Sequence, residues 1–219
     1  MKLSNKYHKI LSLFKRNMNG DKKFILGEWT TPELEYLKDK EWIFTEKVDG
    51  TNIRVIWNGK DVIFSGRSDD AQLYTPLIMK LEELFKRFEP RQKFAEIFPK
   101  VEGEEIDVVL YGEGYGAKIQ KGGGNYISNG VSFVLFDVAI NGIYLERINV
   151  EDIANKFGLK IVPIIGSGTL EEAIEITKKG FKSQWGDFIA EGIVARPKVE
   201  LRTRRGDRII TKVKYKDFL

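Results

Sequence analysis

Apolar and β-prone residues gather first at 42–48, Trp42-Ile43-Phe44-Thr45-Glu46-Lys47-Val48, which predicts a strand ending at the turn signal Asp49-Gly50. A second such run, 52–57, leads to Asn58-Gly59, the strongest short hairpin signal in the chain, and on to 62–65. The spacing then turns helical at Leu77, Leu81, Leu84, Phe85 and Phe88, with Thr75 placed to cap and Pro76 suited to the first position. A short helix is predicted over 93–98, strands over 107–113 and 132–140, and a hairpin turn at Asn141-Gly142. Asn149 begins a helix that Gly158 can end, and Thr169-Leu170-Glu171-Glu172 is a capping box whose helix Gly180 closes. The last strands are predicted over 192–196 and 208–214, with a turn near Arg205-Gly206-Asp207. Residues 1–26, with an amphipathic stretch at 10–14, read as an N-terminal helical or loop extension, and Gly122-Gly123-Gly124 as a flexible patch. The pattern predicts an α+β fold, antiparallel sheets with packed helices.

Composition narrows the chemistry. The 219 residues suit one large domain, and 42% hydrophobic with 31% charged residues describes a globular chain. The net charge of +4 permits a polyanionic partner without demanding one. With no cysteine, disulfides, thiolate nucleophiles and cysteine zinc sites are excluded. The single histidine, His8, argues against a Ser–His–Asp triad or a two-histidine metal site. If the chain is an enzyme, its nucleophile is expected among Lys, Asp, Glu, Ser, Thr and Tyr. The N-terminus lacks an apolar signal core, and no window approaches the ~20 apolar residues of a membrane span. A cytoplasmic location without membrane association is expected.

In Glu46-Lys47-Val48-Asp49-Gly50-Thr51-Asn52, a lysine ends a strand beside an acid and a glycine turn. Alone, this is a surface charge pair on a turn. A free lysine titrates near ~10.4, so using its neutral amine near neutral pH costs ~4 kcal/mol. Neighbouring cations or a metal ion favour the neutral form. Other strand ends supply such groups: Arg67 in Ser65-Gly66-Arg67-Ser68, Glu113 in Gly112-Glu113-Gly114, and Glu191 before Gly192. Lys212 and Lys214 share a strand face by the two-residue period. Phe136 lies in the apolar strand 133–138. Singly, these residues read as a turn carboxylate, a solvated strand face or core.

Taken in order, the set resembles the covalent nucleotidyltransferase superfamily of polynucleotide ligases and capping enzymes. Lys47-Val48-Asp49-Gly50 matches its nucleophile motif. Arg67, Glu113, Phe136, Glu191, and Lys212 with Lys214 match its later motifs, over about residues 42–215. Within that superfamily the chain is most similar to the RNA ligase 2-like family, which seals nicks in duplex RNA. Asn52 follows Asp-Gly-Thr, Ile119-Gln120-Lys121 follows Gly112-Glu113-Gly114, and Pro197 follows the Glu191 segment, as in those enzymes.

The resemblance implies an ATP-grasp-like nucleotidyltransferase (ligase adenylation) domain over 1–219. It implies that Lys47 attacks ATP to form lysyl-AMP, that the AMP passes to a 5′-phosphate end, and that a 3′-hydroxyl then joins that end. Glu46, Asn52, Arg67, Glu113 and Phe136 would bind the nucleotide. Arg67 and Asn52 would lie at the phosphate or a metal-bound water, Glu113 at the ribose and Phe136 on the adenine. Glu191 would orient Mg²⁺, for which Mn²⁺ can substitute. Asp49 would contact the metal or hold its own loop. Lys212 and Lys214 would bind the α-phosphate and neutralise developing charge. Lys118, Lys121 and the three glycines would form either a phosphate-gripping loop or a mobile surface loop. The implied partner is nicked duplex RNA or RNA ends. Five residues follow Lys214, so no C-terminal OB or helical domain is expected, which argues against a capping guanylyltransferase and leaves room for a protein partner in its place. The alternatives are a minimal ATP-dependent DNA ligase and a non-catalytic nucleic-acid-binding protein on the same scaffold.

Overall fold

The computed structural model describes residues 6–99 and 105–219. The described chain packs as two compact units. One comprises His8–Val48 with Pro163–Leu219, the other residues 6 and 7 with Asp49–Val162.

The first unit is built on a five-stranded sheet in the order Leu11–Ser12, Thr211–Lys214, Gly192–Pro197, Trp42–Glu46, Ile164–Gly168. All neighbours are antiparallel except Leu11–Ser12, which runs parallel to Thr211–Lys214. Phe14–Arg16 pairs with Phe24–Trp29 in a separate hairpin. The extension expected to be helical or loop thus carries strands at Leu11–Ser12 and Phe14–Arg16. Leu11 and Ser12 pair with Thr211 and Lys212 while Leu13 is fully buried, so long-range pairing overrides the local amphipathic pattern. Helix Leu170–Lys179 begins with the expected capping box, Thr169 accepting from Glu172 N–H and Glu172 from Thr169 N–H. A short helix, Pro32–Leu37, starts from Thr31 and has no counterpart in the sequence reading. Trp42, Phe44, Leu170, Ile193 and Val213 centre the core.

The second unit holds the order Lys160–Ile161, Val131–Ile140, Val108–Gly116, Thr51–Trp57, Val62–Ser65, with Ile143–Tyr144 also paired to Val131–Ile140. Helices Thr75–Phe85, Phe88–Ile97 and Arg147–Phe157 contribute Leu77, Leu81, Phe85, Phe94 and Phe157 to its core, against Ile53, Val55, Leu110 and Leu135. The hairpin turns fall as expected. Asn58 Oδ1 accepts from the Lys60 and Asp61 amides, and Asn141-Gly142 takes two positive φ values, 50° and 81°.

Several boundaries differ from the sequence reading, the last strand, for one, beginning at Thr211 and not at 208. Thr75 is the first helical residue and Tyr74 the cap, without a side-chain cap bond. The apolar spacing through Phe88 covers two helices, because the chain turns after Phe85 to bring Phe94 within 6.1 Å of it, ring to ring. The third helix starts at Arg147, two residues before Asn149, and ends at left-handed Gly158 (φ 67°) as expected. The glycine patch forms one helical turn, Gly123–Tyr126, where a Cβ on Gly123 would overlap the Gly116 carbonyl. Among the described residues no helix is long and apolar enough to cross a membrane.

Candidate active site

In the first unit, the strand Trp42–Glu46 delivers Lys47 to the edge of Gly192–Pro197, where its N–H donates to Gly192 O at 2.9 Å. Lys47 Nζ donates to Glu191 Oε2 at 2.6 Å and to Val48 O at 3.3 Å. Lys214 Nζ takes the other oxygen, Glu191 Oε1, at 2.6 Å. The Lys47, Glu191 and Lys214 side chains are only 18%, 12% and 22% exposed, so solvent screens these pairs less than surface ones. One carboxylate thus holds two ammonium groups.

The backbone explains the convergence. Gly192 pairs with Lys214, and Tyr215 N–H donates to Glu191 O at 2.9 Å. A Cβ on Gly192 would overlap the Val213 carbonyl and crowd Lys214 Cα, so only glycine admits this approach. Lys212 lies two residues back, on the same face as Lys214, paired with Val194 and Ser12.

Glu46, the neighbour of Lys47, is 1% exposed. Its Oε1 accepts from Ser183 Oγ at 2.5 Å and its Oε2 from Gln184 N–H at 2.8 Å. Burial pushes its carboxyl above the ordinary range, against the opposing pull of those two hydrogen bonds. Both oxygens are committed to protein donors.

The second unit carries Asp49, Asn52, Arg67, Glu113 and Phe136. Asp49 N–H donates to Tyr126 Oη at 3.0 Å, and Gln120 Nε2 donates to Gly50 O at 3.1 Å. Gly50 sits so close to Gly114 O and Glu113 Cγ that a Cβ there would overlap both. Asn52 stands directly across from Glu113 in the ladder, and Asn52 Oδ1 is a buried acceptor with no donor among the described residues. Phe136 occupies a β-bulge, since Tyr111 pairs with Asp137 and Gly112 with Leu135. Its half-buried ring meets Tyr7 edge-on at 5.1 Å, while Tyr7 Oη donates to the buried Asp137 Oδ2 at 2.5 Å. Burial is also the main cause that raises the Tyr111 phenol.

Arg67 is exposed on the loop after Val62–Ser65. That loop is held by Arg54, which is fully buried: Nε donates to Gly66 O at 2.8 Å, and Nη2 to Ser65 Oγ at 2.6 Å and Asp69 Oδ1 at 2.7 Å. Lys118 and Lys121 are exposed beside the glycine turn.

The sequence reading passed over Arg54, Tyr7, Tyr126 and Ser183, and gave Gln120 no role of its own. A charge inside the apolar run Ile53-Arg54-Val55 was the available signal for the first. The others are legible only from pairings 70 to 137 residues apart.

Two features suit a nucleotide and its metal. The Asn52 oxygen lacks a donor that a ligand could supply. Glu191 offers hard carboxylate oxygens, and Mg²⁺ commonly takes one or two carboxylates, completing its shell with water and phosphate. No cluster of three or more His, Asp or Glu gathers among the described residues.

The RNA ligase family model matches residues 40–214, most of the chain. The chain belongs to the RNA ligase family. Solved structures of the Naegleria gruberi RNA ligase share the fold. The form with PPi aligns at a TM-score of 0.61 and 21% identity, over 96% of this chain and 60% of that one. A single-substitution variant with ATP and Mn aligns at 0.61 and 18%, over 84% and 52%. Another with AMP and Mn aligns at 0.61 and 20%. The present RNA ligase-family chain therefore spans 52–60% of the length of these matches. No curated protein matches it. The α+β nucleotidyltransferase fold expected from the sequence is the one found.

Proposed function

We propose that this chain is an ATP-dependent RNA ligase working through lysyl-AMP, with nicked duplex RNA as its substrate. The observation that carries the reading is the pairing of Lys47 and Lys214 on the single carboxylate of Glu191.

The chemistry follows from these groups. The neutral Lys47 amine attacks the α-phosphorus of ATP. An N–P bond forms, the bond to the bridging oxygen breaks, pyrophosphate leaves and the amine loses its proton. Lys214 and Lys212 stabilise charge on the α-phosphate as it builds. A 5′-phosphate oxygen of the RNA next attacks that phosphorus, the N–P bond breaks and Lys47 regains a proton. The 3′-hydroxyl then attacks the activated 5′-phosphate, a phosphodiester forms and AMP departs. Glu113 and Asn52 hold the ribose and phosphate side of the nucleotide, Phe136 stacks on adenine, and Arg67 contacts phosphate. Glu46 sets the strand end from which Lys47 projects.

Glu191 and Asp49 are the carboxylates that would hold Mg²⁺ or Mn²⁺, and such an ion would supply positive charge to neutralise the phosphates.

The test is transfer of label from α-labelled ATP to the protein in Mg²⁺, followed by sealing of matched nicked RNA and DNA duplexes. Labelled protein with RNA joined faster than DNA is expected. A strong preference for a DNA 3′-hydroxyl strand overturns the RNA assignment, and an inert wild type supports a binding protein on this scaffold.

A further inference from the structure

We propose that the arginine turn at 202–208 is an RNA-backbone grip, separate from the residues that handle the nucleotide. This rests on the reading that the chain acts on RNA.

The segment Arg202-Thr203-Arg204-Arg205-Gly206-Asp207-Arg208 carries four arginines in seven residues, and their environments differ. Arg208 is buried and forks onto Glu200, Nε to Oε1 at 2.8 Å and Nη2 to Oε2 at 2.6 Å. Arg202 also reaches Glu200, at 3.4 Å, and donates to Gly206 O at 3.3 Å. These two arginines anchor the turn and share the one Glu200 carboxylate.

The backbone above them is equally fixed. Thr203 N–H donates to Asp207 O at 2.8 Å, Gly206 N–H to Thr203 O at 2.9 Å, and Arg205 N–H to Thr203 Oγ1 at 3.3 Å. Gly206 takes the left-handed conformation (φ 87°) that closes the tip.

Arg204 and Arg205, at that tip, are exposed, and neither guanidinium has an acid partner among the described residues. A rigid turn presenting two uncompensated guanidiniums suits phosphate, which the guanidinium fork binds in bidentate fashion. Phosphate contacts of this kind position the backbone and carry no sequence information themselves.

Its place gives it a distinct task. Gly192 and Lys214 pair at one end of the hairpin, and Ala195 with Thr211 nearer the other, beyond which the turn lies. At ~3.3 Å per residue, the six residues of Gly192–Pro197 alone put roughly 16 Å between the nucleophile end and the start of this loop. The turn would hold backbone away from the junction and leave Lys47 chemistry untouched.

The experiment measures binding of a fluorescein-labelled nicked RNA duplex against salt, for wild type, Arg204→Ala/Arg205→Ala and Arg204→Lys/Arg205→Lys, with AMP transfer to Lys47 measured in parallel. Removing two phosphate contacts should make the log–log salt slope shallower by about 1.4–1.8. The lysine pair should keep the wild-type slope, and all three proteins should take up AMP equally. An unchanged slope in the alanine pair, or an equal loss in the lysine pair, overturns the proposal. A wild type that binds RNA with the expected slope change yet takes no AMP defeats the ligase reading while leaving the turn standing.

Discussion

Lys47 and Glu191 lie 144 residues apart in the chain and meet at 2.6 Å, Nζ to Oε2. The same carboxylate holds Lys214, so a change at Glu191 frees two ammonium groups at once. Glu191→Gln keeps the shape and removes the charge. AMP transfer to Lys47 should fall by at least about 100-fold, the size of losing one preorganised electrostatic contact in other enzymes. Quantitative label transfer at saturating ATP checks this.

Gly192 makes that meeting possible. In Gly192→Ala the new methyl has only the Val213 carbonyl and Lys214 Cα to displace, both backbone. The strands must part, at a cost of about 2 kcal/mol or more. Urea unfolding should show the loss, and AMP transfer should drop with it because Glu191 and Lys214 flank the site.

Arg54 acts at a distance from the chemistry. Arg54→Lys replaces a three-way fork with a single ammonium and leaves at least one of Gly66 O and Ser65 Oγ without its donor. Destabilisation of about 1–3 kcal/mol is expected in urea. The apparent KM for ATP should rise more than kcat falls, because the loop carrying Arg67 loosens while Lys47 stays in place.

Two carboxyls give pH signatures of opposite sign. The Arg54 hydrogen bond is the largest cause holding the Asp69 carboxyl below its ordinary 3.8. Its contribution is therefore present above that value and lost as pH falls through the lowered folded value. Asp69→Asn should lack this acid-side step in a Tm-against-pH profile.

Glu46 runs the other way. Its folded carboxyl titrates above the ordinary 4.5, so its contribution is complete below 4.5 and lost as pH rises through the raised value. Glu46→Gln should be less stable overall, by about 1–3 kcal/mol, because its amide group faces a donor from Ser183 or Gln184. Its stability should no longer decline across that interval, which the same profile reads.

Much of the fold was legible where local signals were self-sufficient: the Asn58-Gly59 and Asn141-Gly142 turns, the Thr169 capping box, and the ends at Gly158 and Gly180. It was illegible where tertiary pairing decides. Leu11–Ser12 is a strand only because Thr211 and Lys212 lie beside it, and the Phe88 position looked continuous with Phe85 because spacing does not report a chain reversal. The site divides in the same way. Residue order alone singled out Lys47, Glu191 and Lys214, and folding brings these three together. Nothing in that order hinted that Ser183 and Gln184 would claim both oxygens of Glu46, or that Tyr126 would receive the Asp49 amide.

The most direct measurement is peptide mass spectrometry of the protein after incubation with ATP and Mg²⁺. The account predicts one AMP per chain, bonded through phosphorus to Lys47 and absent from Lys47→Ala. An adduct on another residue, or an unmodified chain under conditions where nicked RNA is sealed, contradicts it.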